Sequence, residues 1–428
     1  MQKNIKNRWL MALSAVAIHV CIGSVYAWSV YSRPIQSAMG WSLTEVTTTF
    51  SVAIFFLGLS AAIMGRFVER RGPKAAACLS AILFGLGTIG SGFAISIESK
   101  MMLYFTYGVL GGCGLGIGYI APVSTLVKWF PDKRGLATGL AIMGFGFASA
   151  ISGPAIALLI GSFGIASTFF ILGSIYFVVM ISAAQYLAPP PANYMPEHFK
   201  AAVATGQKEL KVDLENLSAN DAIKTPRFYG LWIMLFINVT CGIAVIGVAS
   251  PLLQEITGIT AIAAASAVGL MGVFNGVGRF IWASASDYLT RPVVYIAFFT
   301  TQIIAFYLLP GLTNILLFQA MLYYIMTCYG GGFSCIPAYI GDIFGTKQLG
   351  AIHGYILTAW AFAGLAGPII IAYVKDSTGS YGSTLYVFSA FFVVALITSL
   401  AMKLNINMLQ NRKAQQRQVE KESLAITD

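Results

Sequence analysis

Gly65-Arg66-Phe67-Val68-Glu69-Arg70-Arg71-Gly72-Pro73-Lys74 joins two long apolar runs through one tight, charged turn. The flanking runs, 44–67 and 74–97, are each long enough to cross a bilayer, which takes about 20 mostly apolar residues. A turn this short makes them antiparallel neighbours. A second turn of the same kind, Ala283-Ser284-Ala285-Ser286-Asp287-Tyr288-Leu289-Thr290-Arg291, stands at the matching place in the second half of the chain. In each, an acid at a helix end is followed closely by basic residues. One copy is what any short loop beside a membrane collects. Two copies at matched positions imply an internal repeat, and the repeat predicts two equivalent helical halves.

Composition supports a membrane protein. Of 428 residues, 57% are hydrophobic and only 10% charged, and the mean hydropathy is +0.76. Soluble domains carry roughly 25% charged residues. The net charge of +10 does not indicate nucleic acid, because the basic residues cluster in short loops between apolar runs, as topology signals do. Cys21, Cys78, Cys113, Cys241, Cys328 and Cys335 lie in apolar segments without paired spacing. They read as packing residues, with no disulfide frame and no metal site. Lys3, Lys6 and Arg8 precede a long apolar run with no small-residue cleavage site, which reads as a retained first span.

Twelve candidate spans follow, near 9–31, 44–67, 74–97, 101–127, 135–161, 166–187, 228–253, 261–286, 292–310, 313–341, 349–374 and 381–403. The expected organisation is an N-terminal six-helix bundle (1–187), an inter-half loop (188–227), a C-terminal six-helix bundle (228–403) and a tail (404–428). Within the loop a short amphipathic helix is expected around Lys208–Ile223. With the N-terminus inside, the inner loops and tails hold 22 of the 26 Lys and Arg residues. The outer side holds only Arg33, Lys100 and Lys375. This bias places both termini and the central loop in the cytoplasm.

The paired turns resemble the loop signature of the major facilitator superfamily, G-x-x-x-[DE]-R-x-G-[RK]-[RK], with Ala283 replacing the glycine in the second copy. Two further motifs narrow the resemblance. Span one contains Gly23-Ser24-Val25-Tyr26-Ala27-Trp28-Ser29-Val30-Tyr31, and the entry to span five reads Trp129-Phe130-Pro131-Asp132-Lys133-Arg134-Gly135-Leu136-Ala137-Thr138-Gly139. These look like the two signatures of monocarboxylate transporters, although Ile22 stands where an acid is frequent. With Asp342-Ile343-Phe344-Gly345, the second is similar to bacterial members of the oxalate/formate antiporter family. The resemblance implies an all-α membrane protein in which two halves rock about a central site. It also implies a charged latch closing the cytoplasmic ends, here Glu69, Arg70, Asp287, Asp132 and Arg134. The implied location is a bacterial inner membrane.

Arg279 is the one ionised residue that this reading places deep inside a span. A guanidinium there costs about 2.5 to over 10 kcal/mol, so it should face a cavity or a ligand. The alternative is snorkelling, since Arg279 lies about five residues past the span midpoint, roughly 7 Å at 1.5 Å per residue. Asn275 is one turn away on the same face. Arg279 suits a carboxylate, because its fork makes two parallel charge-assisted hydrogen bonds. The family match adds Tyr26, Tyr119, Tyr329, Phe333 and Phe145 as aromatics enclosing the substrate. Relatives that carry oxalate have a lysine in span eleven, and the matching residue here is Trp360. One cation facing two carboxylates would leave a buried charge unpaired. The expected cargo is therefore a small monocarboxylate such as lactate, pyruvate or formate, with oxalate/formate-type antiport as the alternative.

His19 and His353 are the titratable candidates for proton coupling inside the spans. A proton carried on the substrate, or anion exchange, would satisfy the same charge constraint. No cluster of acids, histidine or activated nucleophile suggests an enzyme. A membrane nutrient sensor is the reading from another class. No cofactor, metal or nucleic acid is expected, and the partners are a small organic anion, protons and the lipid bilayer around a monomer.

Overall fold

A computed structural model describes residues 6–192, 194–205 and 213–427. The described chain is helical throughout its apolar runs. The passes are Arg8–Met39, Leu43–Ser96, Lys100–Trp129, Arg134–Tyr186, Pro226–Thr257, Ala261–Leu289, Arg291–Leu308, Ile315–Phe344, Leu349–Thr378 and Tyr381–Thr427. Two of them are double. Leu43–Ser96 turns at Gly72 (φ 83°) and Arg134–Tyr186 turns at Gly164 (φ 78°), so each makes two spans. Both dihedrals lie where a side chain is penalised and glycine is not. At the first turn Pro73 follows directly and cannot continue the preceding ladder. The ten helices thus make twelve passes among the described residues, six before the central connection and six after it.

Local chemistry sets several helix ends. Ser42 and Glu45 form a reciprocal capping box at the start of span two. Thr225, Thr260 and Asn314 each cap a helix through the side-chain oxygen. Gly40, Gly258 and Gly379 close helices in the left-handed conformation.

Three expectations need amendment. Span one is longer than 9–31 and is interrupted by a 3-10 turn at Ser24–Ala27, within the tyrosine motif. The final helix does not stop at 403 but continues to Thr427. Of the amphipathic helix expected near Lys208–Ile223, the described part forms only the short turn Ala219–Ala222. Residues 206–212 lie outside the described residues, and the stretch from Asp213 runs extended along the end of span ten. There Leu214, Glu215 and Leu217 donate to the carbonyls of Asp342, Ile343 and Phe344, at 2.8 to 3.0 Å. Those carbonyls, orphaned at a helix end, are what an extended strand can satisfy and a helix cannot. The connection also forms a helix that was not expected, at Glu197–Ala204.

Glycines set the approach of the two halves. A Cβ on Gly146 of span five would lie 2.6 Å from the Cα of Gly276 in span eight. On Gly65 of span two it would lie 2.6 Å from the carbonyl oxygen of Gly350 in span eleven. Spans five and eight, and spans two and eleven, therefore meet backbone to backbone. The outer segment of span one, Trp28–Met39, packs on its own half.

Candidate functional site

Where spans five, eight and ten cross, Arg279 is fully buried. Its stem runs between two glycines: a Cβ on Gly330 would come within 2.9 Å of Arg279 Cγ, and one on Gly146 within 3.1 Å of Cδ. Arg279 Nε donates to Asn275 Oδ1 at 3.2 Å. Its terminal nitrogens Nη1 and Nη2 have no hydrogen-bond partner among the described residues. The guanidinium lies over the faces of Phe333 (5.1 Å) and Phe145 (5.5 Å), an arrangement that favours a cation. Complete burial excludes a snorkelling arginine.

The aromatic residues singled out in sequence all come to this point. Trp360 packs on Phe333 at 4.6 Å, Tyr119 at 5.5 Å and Phe145 at 5.6 Å between ring centres. Tyr26 packs on Phe145 at 5.0 Å, and its hydroxyl meets that of Tyr329 at 3.3 Å across the two halves. The Tyr26 and Tyr119 hydroxyls lie close to the guanidinium without a directed hydrogen bond to it. Tyr119 Oη and Trp360 Nε1 are also buried and without a partner among the described residues. The cage thus holds several buried donors and a full positive charge within one aromatic cluster. A buried donor left unsatisfied costs about 1–3 kcal/mol, so this grouping is complementary to an acceptor-rich anion.

His19 and His353 flank the Tyr119 ring from opposite halves, at 5.4 and 5.8 Å. His19 Nδ1 contacts the carbonyl of Ala15 at 2.9 Å. Its Nε2 and both ring nitrogens of His353 have no partner among the described residues.

At the face that carries both termini, the acids of the paired turns act reciprocally. Glu69, ending span two, accepts the backbone N–H of Gly350 at the start of span eleven (2.8 Å) and pairs with Lys128 (2.7 Å). Asp287, ending span eight, accepts the N–H groups of Gly135 and Leu136 at the start of span five, both at 2.9 Å. Each acid therefore sits on the positive end of a helix in the other half. Arg134 bridges to Asp342 (3.0 Å) and Asp213 (2.7 Å), and Arg291 joins Asp287 to Asp342. Burial raises the Asp213 carboxyl above its usual value against the pull of Arg134. Asp132 is bound within its own half by Arg8 at 2.7 Å. Arg70 is exposed and forms no ion pair among the described residues.

Sequence reasoning missed two supports. Gly330, Gly331 and Gly332 let span ten pass against Asn275, Trp282 and Asn238. Asn238 donates to the Tyr329 carbonyl at 3.1 Å and accepts from Gln302 at 3.4 Å. The run of three glycines was a usable signal; the asparagine and glutamine were not, standing alone in apolar spans.

Two six-pass helical halves closing over a buried cation define a membrane transporter. The Major Facilitator Superfamily model matches residues 13–368 and 231–424, and the chain belongs to that family. It is 26% identical over 403 residues to the oxalate:formate antiporter of Oxalobacter formigenes, covering 93% of this chain and 90% of that one. To monocarboxylate transporter 12 of Xenopus laevis it is 24% identical over 423 residues, covering 94% and 90%. The fold superposes on the Major Facilitator Superfamily transporter FucP in its outward conformation with a TM-score of 0.66, at 15% identity, over 92% of this chain and 98% of that one.

Proposed function

We propose that this transporter carries a small monocarboxylate by alternating access around Arg279, with both termini in the cytoplasm. The observation that carries the reading is the fully buried Arg279 with Nη1 and Nη2 unpartnered among the described residues, in one aromatic cluster with Tyr119 and Trp360, whose Oη and Nε1 are likewise unpartnered there. A carboxylate fits that fork through two parallel hydrogen bonds and neutralises its charge. Trp360 supplies bulk and one donor where a second cation would be needed for a dicarboxylate. The aromatic walls keep water from the pair, which strengthens it.

The contacts between Glu69 and Gly350 and between Asp287 and Gly135 hold the proposed cytoplasmic face closed. Substrate then enters from the opposite side, past the partly exposed Tyr26. Neutralising Arg279 by the bound anion is the condition for the halves to rock. His19 and His353 are the proposed proton acceptors beside Tyr119, in a symport with the anion. The second reading is exchange of oxalate for formate, favoured by the similarity to the Oxalobacter formigenes antiporter along nearly the whole chain.

Uptake of labelled lactate, pyruvate, formate and oxalate into proteoliposomes, with and without an inward proton gradient, separates these readings. Monocarboxylate uptake accelerated by the gradient is expected. Oxalate exchange faster than lactate or pyruvate uptake would replace the first reading with the second.

A further inference from the structure

A second cationic site lies away from Arg279, on the termini-bearing face of the first half. It is a cleft of about 520 Å³ lined by Lys6, Arg70, Arg71, Lys74 and Lys128, with Glu69 as the single acid among its described lining residues. Glu69 is already committed to Lys128 and to the N–H of Gly350. Lys6 donates to the Tyr186 carbonyl at 3.0 Å, which leaves its charge uncompensated. Arg70, Arg71 and Lys74 are exposed and make no ion pair among the described residues. Topology accounts for basic residues at this face, but it does not require them to converge on one concavity. Buried Val68 and Leu187, with Pro189, add an apolar wall.

We propose that this cleft binds a phosphate ester, and that its occupant is the headgroup of an anionic phospholipid. The charge calls for an anion of more than one oxygen, since several separate cations face the same space. The surroundings favour a lipid over a soluble ester. The cleft is bounded by the ends of spans three and six, whose neighbouring faces expose Ile82, Leu86, Ile175 and Val178. Acyl chains can lie along those faces while the phosphate reaches the arginines. Basic pockets between spans at the inner membrane surface recognise lipid headgroups by this chemistry. All the charged lining residues belong to the first half, so the site persists while the halves rock. A phosphate there draws on Lys128, the ammonium that holds Glu69 in the latch.

The test uses the purified full chain in detergent and short-chain phosphatidylglycerol, against phosphatidylcholine with identical tails and against glycerol 3-phosphate. Saturable phosphatidylglycerol binding, at least tenfold tighter than phosphatidylcholine, is expected. The Arg71→Gln/Lys74→Gln double variant, which removes no hydrogen bond or ion pair formed among the described residues, should lose most of that preference. Equal affinity for the two lipids, or unchanged preference in the double variant, overturns the site. Glycerol 3-phosphate binding as tightly as phosphatidylglycerol overturns the lipid and assigns the cleft to soluble esters.

Discussion

Glu69 at the end of span two accepts the backbone N–H of Gly350 at the start of span eleven, 2.8 Å away and in the other half of the molecule. Asp287 and Gly135 make the equivalent contact at 2.9 Å with the halves exchanged. The internal repeat thus becomes a pair of reciprocal caps, each charge resting on the other half's helix terminus. Such a contact is worth about 0.3–1 kcal/mol, and up to ~2 when partly buried.

Glu69→Gln and Asp287→Asn should each loosen that closure, shifting the closed-to-open ratio by roughly 2- to 30-fold. Ser124→Cys places a thiol beneath Gly350, where the serine is buried. Its labelling by maleimide should quicken in either charge variant. No change in labelling rate would mean that the caps do not hold the face shut.

Arg279→Lys keeps the charge and loses the fork. The loss of one charge-assisted hydrogen bond, about 1.5–3 kcal/mol, corresponds to roughly 10- to 150-fold weaker substrate binding. The change should appear in KM for uptake. A variant with wild-type KM would remove Arg279 from the binding site.

Asn275→Ala leaves Arg279 Nε without its acceptor in a fully buried position. The expected cost is about 1–3 kcal/mol, divided between a lower Tm and weaker substrate binding. Saturating substrate should restore part of the lost Tm, because the anion compensates the same guanidinium.

Trp360→Lys places a second cation beside Arg279, within the ring contacts of Phe333, Phe145 and Tyr119. Oxalate uptake relative to lactate should rise at least several-fold. An unchanged ratio would show that the number of cations does not set the choice of acid.

Two glycine variants separate the contact between halves from the contact within one. An added Cβ at Gly146 would lie 2.6 Å from Gly276 of the other half, and at Gly114 it would lie 2.5 Å from the backbone of Phe84 in the same half. Gly114→Ala should lower Tm, with overpacking costing about 1–3 kcal/mol. Gly146→Ala should leave Tm closer to wild type and suppress transport by holding the halves apart. Equal losses of Tm would contradict that division.

The centre of the candidate site, Arg279 with Asn275, was legible in the residues themselves. Arg279 stood out because an ionised group in hydrocarbon demands a reason. Tyr26, Tyr119, Phe145, Tyr329, Phe333 and Trp360 were visible only through motif resemblance, since aromatics are common in apolar spans. Asn238 and Gln302 gave no signal, because their partners lie on other helices far away in sequence. The latch was half legible. The acids could be named, but not that each seeks backbone N–H groups of the opposite half.

Sequence alone determined the twelve passes and the two-fold repeat, because hydrocarbon requires each backbone polar group to be satisfied within its own helix. It also set the expectation of an anionic ligand, through one arginine with no acid near it in the chain. Only the tertiary structure decided that two nitrogens of the Arg279 fork stay without a partner among the described residues inside an aromatic cage, that Asp132 pairs with Arg8 of its own half, and that Arg70 faces a separate basic cleft. Those outcomes depend on how closely glycine-faced helices approach, and that distance is set by side chains meeting across helices that the chain order does not bring together.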